Sequence, residues 1–162
     1  MDTKIAIKFL ENQIKNPSKG LPQEIFFFIS RITPMINVDL LIKDEKGRTL
    51  LAWRDDEFYK GWHIPGGIIR FKEKTEARIQ KVAMQEIGAK VKFEPNPMGI
   101  YQLISKQETR GHFISLLYKC FLSNKVVLKN KNLSIKDSGY LKWHKTCPPG
   151  FLKCQNMYKK YI

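Results

Sequence analysis

Gly66, Gly67, Glu73, Gln85 and Glu86 fall within one stretch, HIPGGIIRFKEKTEARIQKVAMQEIGAKV, which runs from residue 63 to residue 91. The two glycines sit between a short apolar strand and a helical pattern. That order lets the backbone approach a ligand closely and turn carbonyl or N–H groups toward it. On the helix, positions 82, 85 and 86 are neighbours on one face. A hard cation such as Mg²⁺ takes oxygen ligands in near-octahedral geometry and often shares them with substrate phosphates. Glu86 offers such an ion a carboxylate and Gln85 a weaker amide oxygen, whereas Val82 offers nothing. Glu73 is expected to order the loop by pairing with Lys81.

The elements that must hold these residues can be read from pattern. Residues 1–16 carry an imperfect helical stripe (Ile5, Ile7, Phe9, Leu10, Ile14), and NPSKGLP at 16–22 is a loop by composition. Pro22 starts a short helix over 23–31, which Thr33-Pro34 ends. Residues 35–43 and 48–54 read as two strands joined by the turn DEKG, and WHI as a third short strand. Thr75 is expected as the N-cap of a helix over 75–87, with Glu76 in its first turn and Gly88 stopping it. Residues 89–95, 98–105, 111–122 and 139–144 read as further strands, and the tail around 152–161 as a short helix. Several strands about one loop–helix unit imply an α+β (α/β/α layered) domain, a mixed β-sheet sandwiched between helices. Residues 1–20 are expected to be a helical extension and 21–162 the main domain.

Composition narrows the class. A 162-residue chain with 43% hydrophobic residues can bury a sizeable core as one domain. No apolar run approaches the length of a membrane span, and the charged N-terminus does not resemble a signal peptide. Cys120, Cys147 and Cys154 lack metal-type spacing, so a cytoplasmic protein is expected. Net charge is +14, and residues 119–162 hold ten lysines against one acid, Asp137. Such a surface attracts anions, but lysine predominates over arginine and there is no nucleic-acid-binding motif. A small anionic ligand is expected rather than a nucleic acid. Asp39, inside an apolar strand, needs a partner or a ligand. His63, His112 and His144 read as packed or surface histidines, and Trp62, Tyr101 and Phe113 as core aromatics able to stack on a base.

The stretch resembles a Nudix box: a glycine, five residues, a glutamate, seven residues, then R-E-U-x-E-E-x-G-U with U apolar. Gly67, Glu73 and the run Lys81–Ala89 match that spacing throughout. Gly67, Glu73, Glu86 and Gly88 keep the residue type, Lys81 stands in for arginine, and Val82 and Gln85 for two glutamates. The thinned box is similar to that of the GDP-mannose mannosyl hydrolase branch. TPMINVDLLIKDEKGRTLLAWR followed by GWHIPGG extends the similarity, which covers roughly residues 22–143.

The resemblance implies a Nudix fold and a hydrolase, dependent on Mg²⁺ or Mn²⁺, of a nucleoside diphosphate sugar such as GDP-mannose. Attack falls at the sugar carbon, and a homodimer is expected. By position, Gly66, Glu86 and Asp137 would bind the metal, with Asp137 either ligand or base. The branch's catalytic histidine falls at Ser138. Asp39 and Arg54 would contact substrate, with Arg54 and Glu86 in catalytic roles. Arg70 would take the place of a phosphate-binding arginine that Ile68 replaces. Phe113 occupies the position of a tyrosine that assists the leaving diphosphate, and Lys81 is counted with the substrate-binding residues. Gly67, Glu73 and Gly88 would be structural. A Nudix pyrophosphohydrolase of another nucleoside diphosphate derivative, or a domain that binds nucleotide or a partner without turnover, stands as the alternative.

Overall fold

The computed structural model describes residues 2–122, 126–130 and 132–162. The near-continuous apolar run MINVDLLI forms β1 (Met35–Ile42), which is buried on both faces, as such a run must be. Its side chains alternate between two cores. Val38, Leu40 and Ile42 face one core, and Leu41 faces the other. β2 (Thr49–Asp55) divides likewise, with Leu50 and Ala52 against Leu51 and Trp53. The turn between them is held by Asp44, whose carboxylate accepts the backbone N–H of Lys46 and of Arg48.

β3 (Lys60–His63) and β4 (Gly66–Ile68) flank the Pro65 corner. β5 (Lys92–Phe93), β6 (Gly99–Ile104), β7 (His112–Phe121) and β8 (Leu141–His144) complete two sheets. In the larger sheet β1 lies between antiparallel β4 and parallel β7, and β7 also pairs with β5 and β6. The smaller sheet has the order β3-β2-β8. Helix α1 (Thr3–Asn12) buries no residue, and α2 (Gln23–Ile32) buries Ile25 and Ser30. Helix α3 (Thr75–Val82) covers one core with Ile79 and Val82. A 3₁₀ segment, Lys153–Tyr161, covers the other with Tyr158. The expected α/β/α layering about a mixed sheet is thus present. No described helix is long and apolar enough to cross a membrane.

Three local expectations are corrected. The residue preceding α3 is Lys74, which makes no side-chain cap, so Thr75 is helical rather than the N-cap. The helix does not run unbroken to Ile87: Ala83–Ile87 is a π-helical turn, closed by a bond from the Gly88 N–H to the Ala83 carbonyl at 3.0 Å. Between 89 and 95 only Lys92 and Phe93 pair as strand. Pro65 leads the two glycines into β4, where Gly66 is opposite Asp39.

Gly88 ends the π-turn at φ +80°, a left-handed conformation that a Cβ disfavours. Gly88→Ala should therefore lower stability by about 1 kcal/mol in urea unfolding. An unchanged midpoint and slope would show that the turn has another stable exit.

Candidate active site

The glycine corner is seated on a buried acid. A Cβ on Gly66 would collide with the Asp39 carboxylate, and one on Gly67 would come within 2.7 Å of the Val82 side chain. Only glycines allow this backbone to lie against both. Asp39 is 2% exposed, and among the described residues it forms no ion pair. Ser115 and Tyr158 (2.7 Å) donate to its Oδ2, and Asn37 donates to its Oδ1 at 2.9 Å. Burial raises its pKa to about 6, against the lowering effect of the Ser115 and Tyr158 bonds. The acid inside the apolar strand thus has neutral partners and supports the Gly66 backbone.

The π-turn presents Gln85 and Glu86 to a cavity of about 640 Å³, whose lining includes Arg54, His63, Gly66, Lys129 and Ser138. Val82 is buried beneath the glycine corner and faces the core. His63 brings its Nε2 to 3.6 Å from Glu86 Oε2. Its Nδ1 is buried with no hydrogen-bond partner among the described residues. Glu73 lies one turn away as the hub of the loop. It accepts from Lys81 and Arg78 (2.7 Å each) and from the backbone N–H of Arg70 at 3.0 Å. The pair with Lys81 is the one expected, and Arg78 adds a second, buried cation. Lys81 is thereby engaged with Glu73 and does not line the cavities.

Two arginines converge on the same space. Arg54 at the end of β2 is held by Asp56 at 2.5 Å and stacks on Tyr59 at 5.0 Å. Arg110, in the loop before β7, lies over Phe58 at 4.8 Å. That loop is fastened by Gln107, which donates to the Phe58 carbonyl and accepts from the Tyr59 hydroxyl, both at 3.1 Å. Burial, then the neighbouring Arg54 charge, lowers the Arg110 pKa. Among the described residues no carboxylate pairs with Arg110. A motif does not mark it in the sequence; scarcity does. Only six arginines accompany 23 lysines, and Arg54, Arg70, Arg78 and Arg110 all line this cleft. His63 was likewise not distinguished by pattern from a packed histidine.

Of the residues singled out by sequence, Arg54, Gly66, Gly67 and Glu86 come together around the 640 Å³ cavity. Asp39 and Phe113 line a smaller adjoining hollow with Arg54 and His63. Arg70 lines a third compartment, which shares Gly67, Ile68 and Arg110 with the other two. Asp137 does not line any of them. Its exposed carboxylate accepts the Ser134 N–H of its own turn at 2.6 Å, although the next residue, Ser138, lines the main cavity.

Among the described residues no three His, Cys, Asp or Glu side chains gather as metal ligands. The donors at the glycine corner are one carboxylate, one imidazole, one amide and main-chain oxygens. That chemistry fits a hard divalent ion shared with a bound diphosphate rather than one caged by protein alone.

The loop itself is testable through Glu73. Burial alone would raise its pKa, but the Lys81 hydrogen bond, the Arg70 N–H and Arg78 together hold it at about 2, below the ordinary 4.5 of a glutamate. A depressed carboxylate stabilises the fold at pH values above its unfolded pKa and loses that contribution as pH falls through the folded one. Unfolding measured between pH 7 and 2 should therefore show stability declining from about pH 4.5 downward. Glu73→Gln should cost roughly 2 kcal/mol at pH 7 and flatten that acid limb. An acid limb identical in both proteins would contradict the assigned network.

No family model matches the chain. A relative, the low-salt glycan biosynthesis protein Agl8 of Haloferax volcanii, is 33% identical over 84 residues, or 51% of this chain. The chain spans about half (53%) of that relative's length. Among solved structures, a MutT Nudix hydrolase from Burkholderia pseudomallei superposes with a TM-score of 0.62 at 17% identity, covering 80% of this chain and 98% of that one. A possible asymmetric diadenosine tetraphosphate hydrolase from Jonesia denitrificans gives 0.61 at 19%, covering 80% and 92%. A UDP-X diphosphatase gives 0.59 at 16%, covering 100% of this chain and 68% of that one. With the box spacing of residues 67–89 on a π-ended helix beneath its glycine corner, the chain has the fold of the Nudix hydrolases.

Proposed function

We propose that the protein is a divalent-metal-dependent hydrolase of a nucleoside diphosphate sugar, cleaving at the sugar carbon to release nucleoside diphosphate and free sugar. The observation that carries this reading is the ratio of charges in the cavity. Glu86 is its one helix carboxylate and the other lining carboxylate, Asp56, is paired with Arg54, while Arg54, Arg110 and Lys129 all line it. Hydrolysis at phosphorus by several metals calls for several carboxylates, whereas a departing diphosphate calls chiefly for positive charge.

Glu86 and the Gly66 main chain would hold Mg²⁺ or Mn²⁺ together with the substrate diphosphate. When bound, the ion supplies Lewis-acid stabilisation of the leaving oxygen. Asp137 enters as a further ligand through the resemblance alone. The chain's own residues do the rest. Arg54 and Arg110 offer planar donors to the diphosphate, a geometry suited to phosphate oxygens. The water oxygen bonds to the anomeric carbon as the carbon–oxygen bond to the diphosphate breaks, and the bonding electrons leave with that oxygen. We assign the water's proton to His63. Beside Glu86 at 3.6 Å, the imidazolium that forms has a counter-charge. Asp39 and Phe113 border the smaller hollow, which would take the sugar.

A panel of nucleotide sugars with Mg²⁺ tests this reading through its products. Nucleoside diphosphate and reducing sugar are expected. Glu86→Gln should lower kcat roughly 100-fold, and Arg54→Ala should raise KM about tenfold. Nucleoside monophosphate with sugar phosphate would overturn the reading in favour of a pyrophosphohydrolase. Tight binding of the panel with no product would favour a binding domain.

A further inference from the structure

We propose that the compartment between α2 and the loop after the glycine corner is a nucleobase subsite, an inference that rests on the diphosphate reading of the adjoining cavity. The compartment has a volume of about 620 Å³ and meets the catalytic cavity at Gly67, Ile68, Gln85 and Arg110. Phe26 and Phe27 of α2, Phe58 and Phe71 form its aromatic surface, and Gln23 and Gln85 bring amides to its wall. Phe71 is 60% exposed, an aromatic face turned to solvent at the edge of a hollow. Aromatic walls with a few amide donors and acceptors suit a flat heterocycle, which stacks on the rings and offers its edge to the amides.

Arg110 stands at the junction. Its backbone adopts φ +59°, a left-handed conformation that is unfavourable for arginine and is retained where surrounding structure enforces it. Its guanidinium lies over both Phe58 (4.8 Å) and Phe26 (5.9 Å), and its Nε is buried without a partner among the described residues. Half-buried and forming no ion pair among the described residues, such a cation offers a position for an anion. An aromatic hollow that opens past such a cation matches a base carried on a diphosphate. Pro17, Gly20 and Leu21 also border the compartment, so the segment ahead of α2 contributes to recognition rather than only preceding the domain.

Calorimetry with GDP, ADP, UDP, inorganic pyrophosphate and farnesyl diphosphate, each with Mg²⁺, tests the assignment on the intact chain. At least one nucleoside diphosphate should bind roughly tenfold more tightly than pyrophosphate. Phe71→Ala, at an exposed site outside the core, should weaken that nucleotide about fivefold to tenfold and leave pyrophosphate unchanged. Arg54→Ala should weaken both. Nucleotides that bind no better than pyrophosphate and ignore Phe71→Ala would overturn the base subsite while leaving the diphosphate reading intact. Farnesyl diphosphate binding more tightly than every nucleotide would overturn it in favour of an apolar-chain pocket. Failure of pyrophosphate and nucleotides alike to bind would remove both readings.

Discussion

The Asp39 carboxylate is buried at the centre of β1 and held by neutral hydrogen-bond donors, and much of the site is arranged around that constraint. A desolvated carboxylate without donors would be costly, and here the donors come from different parts of the chain. Asn37 lies on the same strand, Ser115 on parallel β7, and Tyr158 on the C-terminal 3₁₀ segment. Satisfying one acid therefore ties the central strand pair to the tail. Gly66 then lies against that acid, so the position of the glycine corner follows from the same network. Gln155 strengthens the tie by accepting the Ile64 N–H at 2.8 Å just before the corner.

Around that fixed corner the charges are distributed unevenly. Glu73 is satisfied by Lys81 and Arg78, so the loop acid does not face the cavity as a free ligand. Glu86 remains, delivered by a π-helical turn of the kind often found at functional sites. Across from it, the 56–59 and 105–111 loops are pinned to each other by Gln107 and hold Arg54 and Arg110 on aromatic faces. Rigid placement of cations around a cavity is what stabilisation of a leaving anion requires, because no reorganisation is then needed as charge develops.

The apolar runs in the sequence located β1, β2 and β7 because burial on fixed faces imposes a period that patterning exposes, whereas cap residues and Gly88 marked the box helix. The glycine corner and Glu86 were legible because the box spacing is long and specific. The π-turn was not, since a bond from Gly88 to Ala83 rather than to residue 84 leaves no mark in the apolar pattern. No motif marks Arg110 either. Its role arises from a loop anchored by Gln107 to residues nearly fifty positions away, a contact no local pattern encodes. Asp137 shows the opposite case: sequence position put it beside the site, but the turn 134–137 engages its carboxylate while its neighbour Ser138 lines the cavity.

The central claim is that water attacks carbon and that the diphosphate leaves whole. Turnover in ¹⁸O-labelled water, with ³¹P resonance and mass detection of both products, tests it most directly. The account predicts one ¹⁸O atom in the free sugar and none in the nucleoside diphosphate. An ¹⁸O-shifted phosphate resonance with unlabelled sugar carbon would contradict it and assign the cavity to attack at phosphorus.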